Sequence, residues 1–311
     1  MKRFIRISLL FSIFSSICYI ISILILGYSG ISGLHINFKI LDSPSRSLLR
    51  VQDIQKIDSV DILFLGSSRS FMGFDTRIFN AKGFSAFNFG TAAQTPVQTA
   101  MLIDRYLDSI SPKLVIYEVY LEGFENDGIE SAIDLLSSDY IDLNSFNMTK
   151  LINEPVVYHA FLFAALRQSF GYMPHFTESP GGYLPMSGYI RRPVLQNKEI
   201  DKNFPTRNFQ LCSYQWISFL KIINKLRERN IQYVLVQAPI PSARYDAVTN
   251  KNSLQNSLRK QGELLVFNEL ISLDDSLHFE DASHLNQTGV EIFNLKLIEL
   301  LFNYPHKYRK N

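Results

Sequence analysis

Asp61-Ile62-Leu63-Phe64-Leu65-Gly66-Ser67-Ser68-Arg69-Ser70 is the stretch on which the reading of this 311-residue chain turns. Four apolar residues stand together between Asp61 and Gly66, without polar alternation. That is the pattern of a short strand buried on both faces. Gly66 ends the run, and two small hydroxyl residues follow. In an open α/β sheet, ligands bind outside the carboxyl ends of the strands. A Gly-Ser-Ser turn at such an end can present a serine hydroxyl to the cleft, and its backbone N–H groups can face an anion. By itself, the same turn equally suits a plain helix cap.

Working outward, four more apolar runs of strand length occur, at 84–90, 113–120, 232–240 and 263–268. Helical patterns separate them. Thr95 and Pro96 mark the start of a helix over 96–107, because proline is favoured at the first helical position. Ser213 can cap an amphipathic helix over 214–229. A last helix is expected over 286–302, where Val290, Phe293, Leu297 and Leu301 recur near helical spacing. Strand–helix alternation predicts a three-layer α/β/α sandwich around a parallel five-stranded sheet. Residues 121–212 interrupt the alternation. They are rich in Tyr, Phe, Pro and Ser, and read as a helical and irregular insertion over the top of the sheet. Such a segment serves either as a substrate wall or as structural decoration.

The amino terminus has a different character. Lys2, Arg3 and Arg6 precede a run with no Asp, Glu, Lys or Arg from Ile7 to Leu34. Its densest part, 7–26, would form a helix long enough, at about 1.5 Å per residue, to cross a bilayer core of about 30 Å. Basic residues before it predict a cytoplasmic amino terminus and an extracytoplasmic remainder. A cleaved signal peptide would need a shorter apolar region and a small-residue cleavage site. The expected organisation is therefore a cytoplasmic stub and transmembrane anchor at 1–28, a linker at 29–58, the folded domain at 59–305 with its insertion, and a basic tail at 306–311. With 31 basic against 29 acidic residues, the chain lacks the charge excess of a dedicated nucleic-acid binder. Cys18 lies in the apolar run, so a disulfide to Cys212 is not expected, and no zinc-type spacing occurs.

The second chemical constellation is Asp281-Ala282-Ser283-His284, just before the last helix. A serine hydroxyl needs a base to take its proton. An imidazole does this best when a carboxylate holds its tautomer and stabilises the imidazolium. Asp and His three residues apart on one turn can both face one cleft. Asp275-Ser276-Leu277-His278 has the same spacing, but only His284 directly precedes the final helix.

The chain order of these residues resembles the SGNH, or GDSL-like, hydrolase superfamily over about 59–302, with the insertion as an interruption. The resemblance implies that Gly66-Ser67-Ser68 stands for the family's Gly-Asp-Ser turn, with Ser68 as nucleophile and Ser67 in place of the usual Asp. It implies His284 as base and Asp281 as its partner. It also implies an oxyanion hole from the N–H groups of Ser68 and Gly90, the latter in Asn88-Phe89-Gly90. The family's Gly-x-Asn-Asp motif is not matched: residues 123–127, Gly-Phe-Glu-Asn-Asp, are one residue too long and sit late, leaving Asn126 as the candidate third donor. Arg69, next to the nucleophile, is a candidate for binding an anionic or sugar group. No metal and no cofactor is implied.

The anchor together with Gly-Ser-Ser is similar to a narrower group of envelope proteins that act in O-acylation of cell-envelope polysaccharides, often beside a multi-span membrane acyltransferase. That likeness implies acyl esters, acetyl above all, of an envelope or extracellular glycan as substrate. It leaves open hydrolysis, transfer, or a non-catalytic accessory role in glycan assembly. Tyr172, Phe176, Tyr183 and Tyr189 of the insertion could stack on sugar rings or simply pack the core.

Overall fold

The computed structural model describes residues 1–29, 46–172, 181–191, 194 and 203–302. The five strands are β1 (Ile62–Leu65), β2 (Ala86–Asn88), β3 (Leu114–Glu118), β4 (Gln232–Gln237) and β5 (Leu264–Val266). They form one sheet in the order β2-β1-β3-β4-β5, with every neighbouring pair parallel. This is a doubly wound order, in which the chain leaves β1 toward one edge and later crosses to the other.

The two faces of the strands divide one core into two. Leu63, Leu65, Phe87, Val115, Tyr117 and Leu235 pack on one side with the helices Pro96–Ile110 and Ser213–Glu228. Ile62, Phe64, Ile116, Val234 and Val236 pack on the other with Phe74, Phe79 and the Phe293/Leu297 stripe of the last helix, Gln287–Phe302. Successive residues point to opposite faces, so a strand with apolar residues at every position must be covered twice. Each fully buried Phe or Leu contributes about 1.5–3 kcal/mol relative to exposure.

Helix starts are set locally. The Thr95 N–H is held by Gln98 Oε1 at 3.0 Å, and Pro96 occupies the first helical position. The helix expected after Ser213 instead includes Ser213; Cys212 precedes it without a side-chain cap, its Sγ donating to the Glu125 carbonyl at 3.4 Å.

Two expectations change here. Residues 46–54, read as linker, form the helix Arg46–Ile54, whose Val51 and Ile54 are buried in the first core. A nine-residue helix with few apolar positions is hard to tell from linker until the face it covers is known. The insertion does not lie over the top of the sheet as a whole. Its helices Ile129–Ser138, Leu143–Ile152 and Pro155–Ser169 extend the helical layer beside Pro96–Ile110, because Ala132, Leu135, Leu136, Met148 and Val157 join that same core. Of its described residues, those of the short 3-10 turn Leu121–Phe124 and the segment 203–209 border the cavity at the strand ends. Tyr183 and Tyr189 are core residues, their hydroxyls bonded to Asp53 and Gln287. Phe176 lies outside the described residues.

The stretch around Gly188 locks against β2. Gly188 has φ +69°, and a Cβ there would stand 1.9 Å from the Asn88 carbonyl oxygen. The Asn88 N–H donates to the Ser187 carbonyl at 2.8 Å, and Arg50 Nε donates to the Gly188 carbonyl at 2.7 Å. A side chain can be accommodated only by separating two backbones. Gly188→Ala is therefore expected to destabilise the protein by about 3 kcal/mol or more. Thermal unfolding of the variant checks this; an unchanged midpoint would show that the approach is not tight.

The amino-terminal helix Lys2–Tyr28 is long and apolar enough to cross a membrane, and little of it is buried by the rest of the chain. Its last turns touch the Pro155–Ser169 helix through Ile23 and Phe163 and through Tyr19 and His159.

Candidate active site

The nucleophile turn begins where β1 ends. Gly66 adopts φ +133°, and a Cβ on it would fall 2.9 Å from Glu118 of the neighbouring strand. Glycine is thus required both for the backbone angle and for the close approach. Ser67 follows as the N-cap of the short helix Ser68–Gly73, its hydroxyl accepting the Arg69 N–H at 3.3 Å. Ser68 is the first helical residue, so its own N–H has no partner within the helix and remains as a donor at the nucleophile. Asn88 at the end of β2 ties this helix down: its side-chain nitrogen donates to the Ser70 carbonyl at 2.8 Å.

The base comes from the turn before the last helix. Asp281 Oδ1 accepts the N–H groups of Ser283 at 2.7 Å and His284 at 2.9 Å. That turn aims the carboxylate at the imidazole of the same turn, and His284 Nδ1 lies 2.9 Å from Asp281 Oδ2. Residues 279 and 285 pair across its base. His284 Nε2 lies 2.8 Å from Ser68 Oγ. Two turns 216 positions apart thus supply one hydrogen-bonded row of carboxylate, imidazole and hydroxyl. This geometry suits proton removal from serine with stabilisation of the resulting imidazolium. Burial alone would raise the Asp281 pKa. The hydrogen bond and charge of His284 and the two N–H groups outweigh it and hold the carboxyl down at about 2. Asp281 is then ionised throughout the range in which an imidazole works as a base.

The rival pair is apart. Asp275 accepts from the N–H and hydroxyl of Ser242, while His278 Nδ1 accepts the Asp274 N–H at 2.8 Å. Asn286, a potential glycosylation position by its Asn-Gln-Thr sequence, is only 1% exposed. Both ends of its amide are used, by the Gly289 N–H and the Leu277 carbonyl.

The oxyanion side differs from the expectation. Gly90 does stand against the nucleophile turn, since a Cβ there would meet the carbonyl oxygens of Ser67 and Gly66 at 2.8 and 2.9 Å. Its N–H, however, donates to Asn88 Oδ1 at 3.1 Å. It would have to share or surrender that bond to serve an oxyanion. Asn126 takes part in a local loop: its side-chain oxygen accepts the Gly128 N–H at 2.7 Å, and its carbonyl accepts from Gln215. The turn Leu121–Phe124 carries the chain past the strand end before Asn126 is reached, so this residue closes a loop.

Sequence reasoning passed over three residues that shape the site. Glu118, the last residue of β3, is buried beneath the nucleophile turn. Among the described residues, neither carboxyl oxygen has a hydrogen-bond partner of good geometry. Burial pushes its pKa up to about 7; Arg69, the Ala238 N–H and the Ser67 hydroxyl offset part of this, and Glu122 adds to it. The available signal was a charged residue within an otherwise apolar strand. Glu122 and Arg244 gave no such signal. Arg244 donates to the Ala282 carbonyl at 2.7 Å and to Ser283 Oγ, both on the His284 turn, and pairs through its other nitrogen with Glu122. Glu122 also accepts from Arg69 at 3.3 Å. Arg69 is only 10% exposed, with its guanidinium over the Tyr120 ring, rather than free in solvent. Burial would raise the Glu122 pKa, but Arg69 and Arg244 more than compensate and keep it low.

Glu122 thus clasps the nucleophile turn to the base turn. Displacing a reacting group by about 1 Å can cost on the order of 10² in rate. Glu122→Gln is accordingly expected to lower kcat about 10²-fold with the circular-dichroism spectrum unchanged. An unchanged kcat would mean that the two turns hold their distance without the clasp.

No protein-family model matches this sequence, and no curated protein matches it. Among solved structures, the chain is similar to a GDSL-like lipase from Bacteroides thetaiotaomicron, at 10% identity and a TM-score of 0.41, covering 82% of this chain and 98% of that one. It is similar also to a candidate acylhydrolase from Bacteroides fragilis, at 11% identity and a TM-score of 0.42, covering 84% and 98%. A third is a candidate lipolytic protein of the G-D-S-L family from Desulfitobacterium hafniense, at 12% identity and a TM-score of 0.39, covering 77% and 98%.

Proposed function

We propose that this chain is a membrane-anchored serine esterase or O-acyltransferase, with Ser68 as nucleophile, His284 as general base and acid, and Asp281 as its orienting carboxylate. The observation that carries the reading is the continuous row from Asp281 through His284 to Ser68, with contacts of 2.9 and 2.8 Å. Ser68 Oγ attacks the ester carbonyl while His284 Nε2 takes its proton. The tetrahedral intermediate collapses, the C–O bond to the alcohol breaks, and His284 returns the proton to the departing oxygen. The acyl group is then an ester of Ser68. Water or a sugar hydroxyl attacks it, with His284 again as base, and Ser68 is regenerated. The Ser68 N–H is the first oxyanion donor; Gly90 is the second once its bond to Asn88 is shared.

The proposed substrate is an acyl ester, acetyl above all, of an envelope or extracellular polysaccharide. The proposed setting is a single-pass membrane protein with its amino terminus in the cytoplasm and the Ser68 domain outside, beside a multi-span acyltransferase. The apolar helix Lys2–Tyr28 supports the membrane setting, and the basic residues Lys2, Arg3 and Arg6 support the orientation. A second reading, an accessory protein without turnover, is favoured by one observation: the Gly90 N–H is engaged. Loss of one oxyanion donor costs about 2.7–4 kcal/mol of transition-state stabilisation. Fluorophosphonate labelling separates the two. Labelling of the wild type but not of Ser68→Ala supports the esterase or transferase reading; labelling of neither favours the accessory role, and equal labelling of both overturns Ser68 as the nucleophile.

A further inference from the structure

A cavity of about 290 Å³ opens beside the proposed site, between the strand ends and residues 203–209. Arg69 and Ala238 line both this cavity and the small recess that holds His284, so the two spaces meet at those residues. The cavity walls are apolar: Leu121, Phe204, Phe209, Ile240 and Val248 among them. Among the described residues, four cations, Arg69, Arg207, Arg244 and Lys251, and one carboxylate, Glu122, are set into these walls.

The charges do not cancel. Glu122 is shared by three guanidinium groups, at 3.3 Å from Arg69, 3.6 Å from Arg207, and in contact with Arg244. A single carboxylate neutralises one of them. Arg207 has a second partner in Glu125 at 3.3 Å, yet its own side chain is 50% exposed. Lys251 faces Asp246 at 3.7 Å, but that carboxylate is 76% exposed, where an ion pair is worth little. Apolar walls around like charges strengthen their field, because the low dielectric screens it less than water does. A space of this size is at the lower end of ligand pockets, which run from about 300 Å³. It suits one ring or a short chain, not a polymer segment.

We infer that this cavity is a subsite for an anionic group, a carboxylate or a phosphate, carried on a ring-sized or short apolar part of the substrate whose ester reaches Ser68. The inference rests on the esterase or transferase reading for the direction of the ester, but not for the anion itself. Arg207, half exposed, and Lys251 hold the anion. Arg69 and Arg244 are bound to the clasp and orient the part nearer Ser68. The apolar walls cover the body of the group.

The test uses the full chain in detergent. In Ser68→Ala, benzoate and phenylphosphonate are expected to bind and raise the thermal midpoint, and benzyl alcohol is not; the two anions separate a carboxylate from a phosphate preference. In R207Q/K251Q on that background, anion binding is expected to weaken about tenfold or more. The charge-matched variant K221Q/R229Q, whose residues pair with Asp104 and Asp108 away from the cavity, is expected to leave it unchanged. With Ser68 intact, 4-acetoxybenzoate is expected to exceed its neutral methyl ester about tenfold or more in kcat/KM, and the preference is expected to fall toward unity in R207Q/K251Q. Equal binding of benzoate, phenylphosphonate and benzyl alcohol, or anion affinity unaltered in R207Q/K251Q, overturns the subsite. Anion binding without fluorophosphonate labelling of Ser68 retains the subsite and overturns catalysis. Ester turnover with no anion preference does the reverse.

Discussion

Ser68→Ala is expected to lose fluorophosphonate labelling and to lower ester turnover by about 10³-fold or more. That factor corresponds to at least about 4 kcal/mol of transition-state stabilisation. The expectation follows from the geometry, since no neighbouring hydroxyl can replace the lost one. Ser67 is buried as the helix cap, and Ser70 Oγ donates to Asn88 Oδ1 at 3.1 Å. His284→Ala is expected to cause a loss of similar size, because the two groups act as a unit and their effects do not add. The double variant should then be no worse than either single one. If Ser68→Ala keeps more than about a tenth of the activity, the nucleophile lies elsewhere. If the double variant falls far below both singles, the two residues act independently and the proton-transfer row is not the mechanism.

Glu118→Gln is expected to stabilise the protein at alkaline pH and to do little at acid pH. The Glu118 carboxyl has its pKa raised from 4.5 to about 7 in the folded chain. Below the ordinary value it is protonated whether the chain is folded or not, so burial exacts no ionisation cost. Between the ordinary value and about 7 the unfolded chain has released the proton while the folded chain holds it, and stability falls as the pH rises. Above about 7 the loss is complete, at roughly 3 kcal/mol from about 1.4 kcal/mol per unit. Glutamine has the same shape and no charge. The difference in unfolding free energy between variant and wild type should therefore be near zero at about pH 4.5 and approach roughly 3 kcal/mol in favour of the variant by about pH 8. Thermal or urea unfolding across that range measures it. A difference that does not change with pH would show that Glu118 is not the group that titrates.

Why a chain keeps this carboxyl under its nucleophile turn is connected with Gly66. A Cβ on Gly66 would fall 2.9 Å from the Glu118 Cβ and carbonyl oxygen, so the nucleophile turn lies directly against this buried residue. The cost to stability thus falls at the site itself, where an environment that disfavours charge is common.

The amino-acid sequence by itself determined the strands and the doubly covered sheet, and singled out Ser68, Asp281 and His284 as candidates. Each of these is local information. A four-residue apolar run without alternation, ended by glycine, is too short for a helix and fits a strand covered on both sides. An Asp three residues before a His can accept two N–H groups of its own turn and still reach the imidazole, as Asp281 does. The choice of His284 over His278 followed from position before a helix; the partner that occupies Asp275 is Ser242, 33 positions away, which no local pattern announces. What only the tertiary structure decided depends on residues distant in the chain. Glu122 joins Arg69 to Arg244 across 53 and 122 positions, and no spacing rule encodes such a pairing. The Gly90 N–H is adjacent to the turn that the sequence motif promised, yet its availability depends on the rotamer of Asn88 two residues away. The burial of Arg46–Ile54 and the placement of the insertion depend on which apolar face was left open by Pro96–Ile110. Local pattern specifies an element and its chemistry; non-local packing specifies which donors remain free and which charges share a space.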